Sequence, residues 1–273
     1  MTLQLSAPSE KVVPYEYIGE GRVIDLMPEL TKADHYPGGV AVIVDRRQYA
    51  PEEVRANYNN TFFWTGDSAG ADERGGALLT LDSPLLRQLT PESEKLLVNG
   101  ALKLEPKQWK ELRANKEHSR YLRPQEVEDA QGKGYVLKKG KFVPANKAVA
   151  KAWDHLSRGR NLQPYAQMVS EASRGSTEVM QLYFDQLYFD RSKPSTPTLR
   201  SLVVSSIDYY SGVYGDNLLG NITGRLVRVA PEAHVAREKA DSQRILEQTL
   251  AVINNPDLNR DGMVKAVSRL YKC

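Results

Sequence analysis

The first third of the chain alternates short apolar stretches with turn-forming residues, a pattern typical of β-strands. The segment 39–44, Gly-Val-Ala-Val-Ile-Val, is a continuous apolar run of the kind seen in strands buried on both faces. Other β-prone stretches lie at residues 12–18, 22–26, 61–65 and 77–81. A short helix is predicted from Pro51, because proline at the first position followed by acids favours a helix start.

From about residue 90 the pattern changes to one that favours helices. Proline-led helix starts occur at Pro91, Pro106 and Pro124, and residues 132–144 have the composition of a β-hairpin with a basic turn. Further helices are predicted from Pro144 and at 163–173, 177–190, 197–214, 231–254 and 263–271. The predicted fold class is therefore α+β, with a strand-rich N-terminal third followed by a mainly α-helical region that contains one basic β-hairpin.

Composition restricts the class of protein. The chain has 273 residues, 41% of them hydrophobic and 26% charged, which is ordinary for a globular protein with one large domain or two small ones. No apolar run is long enough for a membrane span, and the N-terminus lacks the pattern of a secretory signal. Cys273, the only cysteine, excludes an intramolecular disulfide. We expect a cytoplasmic protein with no membrane association and no cofactor.

Charge divides the sequence into three parts. Residues 1–102 contain 9 Lys and Arg against 15 Asp and Glu, residues 103–160 contain 15 against 7, and residues 161–273 contain 13 against 12. We therefore predict an acidic strand-rich region at 1–102, a basic helix and hairpin region at 103–160, and a helical region at 161–273 that could be continuous with 103–160. A basic block of net charge +8 indicates a polyanion-binding face or a partner for acidic surfaces.

The basic block is the main candidate site. Helices followed by a basic hairpin resemble a winged-helix arrangement, in which a hairpin contacts phosphates. The predicted phosphate contacts are Arg120, Arg123, Lys138, Lys139, Lys141, Lys147 and Lys151, with Trp109 or Tyr135 available to stack on bases. The alternatives are a solvated basic face and an electrostatic contact with the acidic third of another copy, so nucleic acid, a protein partner and a homo-oligomer all remain open.

A second candidate is Gly66-Asp67-Ser68-Ala69-Gly70, which matches the G-x-S-x-G nucleophile elbow. The five residues resemble the serine motif of hormone-sensitive-lipase-type esterases. That resemblance implies a serine hydrolase in which Ser68 is followed by an acid and a histidine, here Asp216 and His234. The alternative is a Gly- and Asp-rich loop between two strands.

A third candidate is Asp257-Leu258-Asn259-Arg260-Asp261-Gly262, which resembles the start of an EF-hand calcium loop. The resemblance implies oxygen ligands from Asp257, Asn259 and Asp261, but Ser268 stands where that loop has its bidentate glutamate. The alternative is a helix–turn–helix connection.

One further segment, Tyr209-Tyr210-Ser211-Gly212-Val213-Tyr214-Gly215, is rich in Tyr and Gly and fits either a contact loop or a helix end. The hypothesis that these observations favour is a non-enzymatic binding or assembly protein. Its basic region would engage nucleic acid or acidic faces of partner subunits.

Overall fold

The computed structural model describes residues 17–32, 35–184, 196–215, 219, 224–229 and 249–250. The helices are α1 Val23–Lys32, α2 Val40–Tyr49, α3 Glu52–Asn59, α4 Pro106–Ala114, α5 Pro124–Ala130, α6 Lys147–Leu156 and α7 Gln163–Ala172, with 3-10 helices at Leu86–Gln88, Pro91–Leu96 and Ile207–Tyr209. The strands are β1 Tyr17–Gly21, β2 Tyr36–Pro37, β3 Phe63–Ala71, β4 Ala77–Thr80, β5 Leu97–Val98, β6 Ala101–Lys103, β7 Ser119–Leu122, β8 Lys133–Lys138, β9 Lys141–Pro144, β10 Glu178–Tyr183, β11 Thr198–Val204, β12 Val213–Tyr214 and β13 Gly224–Val229.

These strands form one mixed sheet whose main path runs β1-β13-β3-β11-β12-β10-β8-β9. The pair β3 and β11 is antiparallel, with Ser201 opposite Ser68, while β13 with β3 and β10 with β12 are parallel. Strands β4 and β7 continue from β3, and β5 and β6 continue from β11. The sheet therefore draws strands from the acidic, the basic and the C-terminal segments of the sequence.

Two apolar clusters cover the two faces of this sheet. Successive residues of a strand point to opposite faces, and Phe63 and Trp64 of β3 accordingly belong to different clusters. The first cluster includes α2, α6 and α7, with Trp153 and Tyr165 fully buried in it. The second includes α1, α4 and the 3-10 helix Leu86–Gln88. The sheet is thus the middle layer between helices on both sides.

The predicted division into a strand-rich third and a helical remainder is wrong. The segment 177–190 was expected to be a helix, but its described part forms β10, and the expected helix at 197–214 contains β11 instead. Every residue of β11 is buried, including Arg200, whose guanidinium donates to the carbonyl of Asn99 at 3.1 Å. A central strand buried on both faces lacks the alternation that distinguishes strands from helices.

In the N-terminal third, two segments predicted to be strands are helices. The apolar run at 39–44 is not a strand, because residues 40–44 begin α2 and are buried on every side. The segment 22–26 lies largely in α1, where Val23, Leu26, Met27 and Leu30 follow helical spacing. The hairpin expected at 132–144 is confirmed as β8 and β9. Of the expected helix at 231–254 the structure describes only residues 249–250, which are helical, and the expected helix at 263–271 lies outside the described residues.

Among the residues that the structure describes, no helix is long and apolar enough to cross a membrane.

Candidate functional site

The tip of the β8–β9 hairpin gathers three exposed cations. Lys138 pairs with Lys141 across the two strands, so Lys139 and Gly140 form the turn. Both turn residues have positive φ, 48° and 76°, which is the conformation of a type I′ turn. The side chains of Lys138, Lys139 and Lys141 are all exposed. Three like charges therefore lie at one solvent-facing turn of the hairpin.

The C-terminal end of the basic block, at Arg158 and Arg160, is buried in ion pairs. The guanidinium of Arg160 binds both carboxylate oxygens of Asp45 at 2.8 Å, and Arg158 binds the carboxylate of Asp82. Side-chain exposure in these pairs ranges from 10% to 17%. Two cations of the basic region thus neutralise two carboxylates of the acidic third within one chain.

Intermediate positions are partly neutralised. Glu126 accepts from Lys151 at 2.9 Å and from the side chain of Arg123 at 3.3 Å. Partial burial opposes ionisation of Glu126, but hydrogen bonds from the Arg123 backbone and from Lys151 keep its pKa below the ordinary value. Lys147 is exposed at the start of α6, and Arg120 is half-buried on β7. The hairpin tip therefore lies apart from the ion-paired cations among the predicted phosphate contacts.

The two aromatic side chains predicted to stack on bases pack against the protein instead. Trp109 lies against β3 so closely that a Cβ at Gly70 would come within 2.8 Å of the indole ring. Tyr135 packs against the first apolar cluster, where burial and then the charge of Asp154 raise its pKa to about 12. Neither ring forms an open platform.

Ser68 lies in the interior of the sheet. Residues 66–70 continue β3 without a strand-to-helix turn, and Ser68 is opposite Thr80 on one side and Ser201 on the other. Its side chain is fully buried, and its hydroxyl has no hydrogen-bond partner in the described structure. A nucleophile elbow instead exposes its serine at a sharp turn. Asp216 and His234 lie outside the described residues.

Asp257, Asn259 and Asp261 also lie outside the described residues. Within the part of the chain that the structure does describe, no group of three or more His, Cys, Asp or Glu is placed to hold a metal ion.

A buried acid lies behind the ion pair of Arg158. Asp67 on β3 accepts hydrogen bonds from the backbone N–H of Val40 at 2.7 Å and of Asp82 at 3.0 Å. Burial, followed by the negative charge of Asp82, raises the pKa of Asp67, and the charge of Arg158 opposes this. Asp82 itself has a φ of 45°, a left-handed conformation that non-glycine residues adopt infrequently. Arg158 therefore pairs directly with Asp82, while Asp67 is held by two backbone N–H groups.

A groove of about 330 Å³ opens beside this cluster, between the end of β4 and α4. It is lined by Thr80, Leu81, Asp82, Pro84, Leu85, Gln108, Glu111, Leu112, Asn115 and His118. Its formal charges come from Asp82 and Glu111, and neither lysine nor arginine is among these lining residues. The groove is therefore unsuited to a polyanion.

Exposed aromatic rings lie at another part of the surface. Phe62, Tyr209 and Tyr210 are 39%, 60% and 43% exposed, and the rings of Phe62 and Tyr209 lie 5.6 Å apart between centroids. Tyr210 and the following Ser211 both have positive φ, 60° and 52°. Consecutive left-handed residues that are not glycine are sterically unfavourable and persist where surrounding structure holds them.

A buried arginine provides that support. Arg47 of α2 is fully buried and donates to the carbonyls of Tyr58 at 2.8 Å and Thr61 at 3.0 Å. It also donates to the hydroxyls of Tyr165 at 3.2 Å and Ser211 at 2.8 Å. One guanidinium therefore ties the segment before β3 to the turn after β11. Phe62 and the two tyrosines are carried on these two segments.

The strand register places these aromatic rings and the hairpin tip at the same end of the sheet. Phe63 at the start of β3 is opposite Val204 at the end of β11. The turn at 207–211 continues from that end, and the carbonyl of Tyr210 accepts from the N–H of Met180 at 2.7 Å. Since β8 runs antiparallel to β10, with Val136 opposite Glu178, its tip points the same way.

Comparison with known proteins gives a fold. No protein-family model matches the sequence, and no curated protein sequence is similar to it. Among solved structures, the chain resembles one described as "Accommodation of massive sequence variation in Nanoarchaeota by the C-type lectin fold", with a TM-score of 0.53 and 13% identity. The match covers 80% of this chain and 100% of that chain. The fold of this chain is similar to the C-type lectin fold. At this identity the likeness extends to the fold alone.

The sequence predicts the exposed lysines at this end of the sheet but does not group them with the exposed aromatic rings. The run of lysines around Gly140 identified the hairpin tip directly. The exposed rings lie in two separate segments. The sequence predicts a strand around Phe62 and a helix end or contact loop around Tyr209 and Tyr210. The available signal was the Tyr-rich stretch ending in Gly212 and Gly215, which favours a turn over a helix.

Proposed function

We propose that this chain is a non-enzymatic binding protein that engages a polyanion, specifically nucleic acid, through the lysines of the β8–β9 hairpin. The observation that carries the proposal is the contrast within the basic block. Arg158 and Arg160 are consumed by buried ion pairs, whereas Lys138, Lys139 and Lys141 are exposed at one turn. Charge that is exposed and concentrated is the charge that a phosphate backbone can use.

The fold is compatible with such a role. The similar solved structure is described as accommodating massive sequence variation. A scaffold that keeps its sheet while surface residues vary is suited to presenting recognition residues on its loops, and we apply that reasoning here as an analogy at the level of the fold. The buried position of Ser68 gives a hydrolase function no support.

The proposal is tested by measuring binding of a labelled oligonucleotide by fluorescence anisotropy across a salt series. A variant with Lys138→Gln, Lys139→Gln and Lys141→Gln is expected to bind much more weakly, and its slope of log affinity against log salt is expected to be shallower. If all three lysines contact duplex phosphates, the slope falls by about 2.7, since each contact contributes about 0.9.

The matched control removes the same amount of charge elsewhere, at Lys107, Lys110 and Lys116, which are also exposed. Equal loss in the control would show that only net charge matters and would contradict the proposal. Absent or salt-independent binding would also contradict it. Size-exclusion chromatography over the same salt series tests the alternative of partner subunits, because self-association through opposite charges would weaken with screening.

A further inference from the structure

We infer that the polyanion is a single-stranded nucleic acid, bound along the end of the sheet where Phe62, Tyr209 and Tyr210 stack on bases and Lys138, Lys139 and Lys141 contact phosphates. We call these six residues the edge surface. The inference rests on the proposed function, because it assumes that the hairpin lysines meet phosphates. It adds the strandedness of the ligand and assigns the stacking residues.

The edge surface has dimensions that suit several nucleotides. Tyr210 is anchored beside Met180, and the hairpin tip lies beyond the start of β10, about four residues farther along. With a rise of about 3.3 Å per residue and about 4.8 Å between neighbouring strands, the tyrosines and the hairpin lysines are separated by roughly 15 to 20 Å. A short stretch of extended strand spans this distance, so stacking and phosphate contacts can occur in one complex.

The aromatic part of the edge surface is exposed and rigidly supported. Arg47 holds both segments through hydrogen bonds to Thr61 and Ser211, and the Tyr210 carbonyl is fixed by Met180. Because the backbone that carries the rings is held in place before binding, little backbone freedom is lost on stacking, and this favours affinity. Support of this kind distinguishes the three rings from aromatic side chains that are exposed by chance.

Charges around the edge surface determine where the phosphate backbone of the nucleic acid can lie. Asp208 is exposed between Ile207 and Tyr209, so phosphates are disfavoured next to the tyrosines. Arg174, which is exposed in the loop between α7 and β10, adds a cation at the same end of the sheet as the hairpin. Bases therefore lie over the aromatic rings while the backbone runs toward Arg174 and the hairpin lysines.

This arrangement favours single strands over duplexes. In a duplex the base faces are stacked on one another and cannot meet protein rings, whereas every unpaired base offers such a face. A duplex would use only the lysines, and its affinity would not depend on Tyr209. The two ligands are thus distinguished by the same substitution.

The test compares four probes by fluorescence anisotropy at one salt concentration: a single-stranded oligonucleotide, the duplex of the same length, an abasic strand and polyglutamate. The wild-type protein is expected to bind the single strand most tightly. Tyr209→Ala is expected to weaken single-strand binding by about five-fold to 150-fold, the range for losing one stacked base, without changing the salt slope. Binding to the duplex and to the abasic strand is expected to be unchanged.

Tyr209→Trp is expected to retain the affinity for the single strand, and Tyr210→Gly, which suits the backbone at φ 60°, supplies a second loss-of-ring variant. Circular dichroism checks that each variant is folded. Equal wild-type affinity for the single strand and the abasic strand, or an unchanged affinity in both ring-loss variants, would overturn the inference and leave the proposed function standing. Tight binding to polyglutamate and none to nucleic acid would overturn both.

Discussion

Two parts of the basic block, its C-terminal end and its hairpin, use cationic side chains for opposite purposes. At the C-terminal end, Arg160 and Asp45 form a bidentate ion pair and Arg158 neutralises Asp82, all with little exposure. At the hairpin, Lys138, Lys139 and Lys141 project into solvent from one turn. Arginine is found where planar, fixed geometry is needed, and lysine where a hydrated charge on a flexible stem is enough. A segment's net charge therefore does not measure the charge available to a ligand.

The largest effect on stability is expected from removing the cation of the buried Arg158–Asp82 ion pair. Arg158→Met would leave Asp82 without its ion pair and close to buried Asp67, and we expect a loss of about 3 kcal/mol in the free energy of unfolding. Urea denaturation monitored by circular dichroism measures this. Lys139→Gln is the control and should change stability by less than about 0.5 kcal/mol. Equal effects of the two substitutions would refute the contrast.

The pH dependence of stability tests the protonation of buried Asp67. Because the pKa of Asp67 is raised, the folded chain holds this proton at pH values where the unfolded chain has lost it. The contribution of Asp67 to stability therefore falls as pH rises from about 3.8, its ordinary pKa, through the raised folded-state value. In Asp67→Asn this dependence is absent, so the free energy of unfolding of the variant should rise relative to that of the wild type as pH increases.

Urea denaturation at a series of pH values from 4 to 8 measures the difference between Asp67→Asn and the wild type. Asp208→Asn, at an exposed position, serves as the control and should show no comparable trend. A difference for Asp67→Asn that stays constant over the whole series would contradict a raised pKa.

The smallest expected effect concerns the turn itself. Lys139 occupies a left-handed position, φ 48°, where a type I′ turn favours asparagine. Lys139→Asn is therefore expected to stabilise the protein by about 0.5 kcal/mol. The same substitution should lower the salt slope of nucleic-acid binding by about 0.7 for a single strand, or about 0.9 for a duplex, if Lys139 contacts a phosphate. Loss of stability, or an unchanged slope, would count against the role given to this residue.

Local patterns predicted some elements well and failed where burial removed the pattern. Proline-led starts located α4 and α5, and the glycines flanking the lysines located the β8–β9 hairpin. By contrast, the apolar run in α2 and the fully buried strand β11 each lack a polar face, so their periodicity identifies neither helix nor strand. Long-range strand pairing decided β11, and packing against the face of the sheet accompanies the burial of α2.

In the candidate site, too, the residues that are adjacent in sequence could be predicted and those brought together by the fold could not. The lysines of the hairpin are adjacent in sequence, so a local reading sufficed to group them. Phe62 and Tyr209 are 147 positions apart in the sequence and come together through the pairing of β3 with β11 and through Arg47. Trp109 and Tyr135 are near cations in sequence and were predicted to stack, but both rings are partly buried against the apolar clusters. Proximity in sequence was a poor guide to exposure.

The pairing of β1 with β13 has a consequence for how the chain is made. Tyr17 lies opposite Val227, so about 210 residues must leave the ribosome before the first strand meets its neighbour. At about 5 to 20 residues per second this takes roughly 10 to 40 seconds, during which β1 and the β13-facing edge of β3 stay unpaired. Unpaired strand edges invite intermolecular association. Synthesis of this protein should therefore benefit from chaperones that shield nascent strands, and refolding from denaturant should be slow.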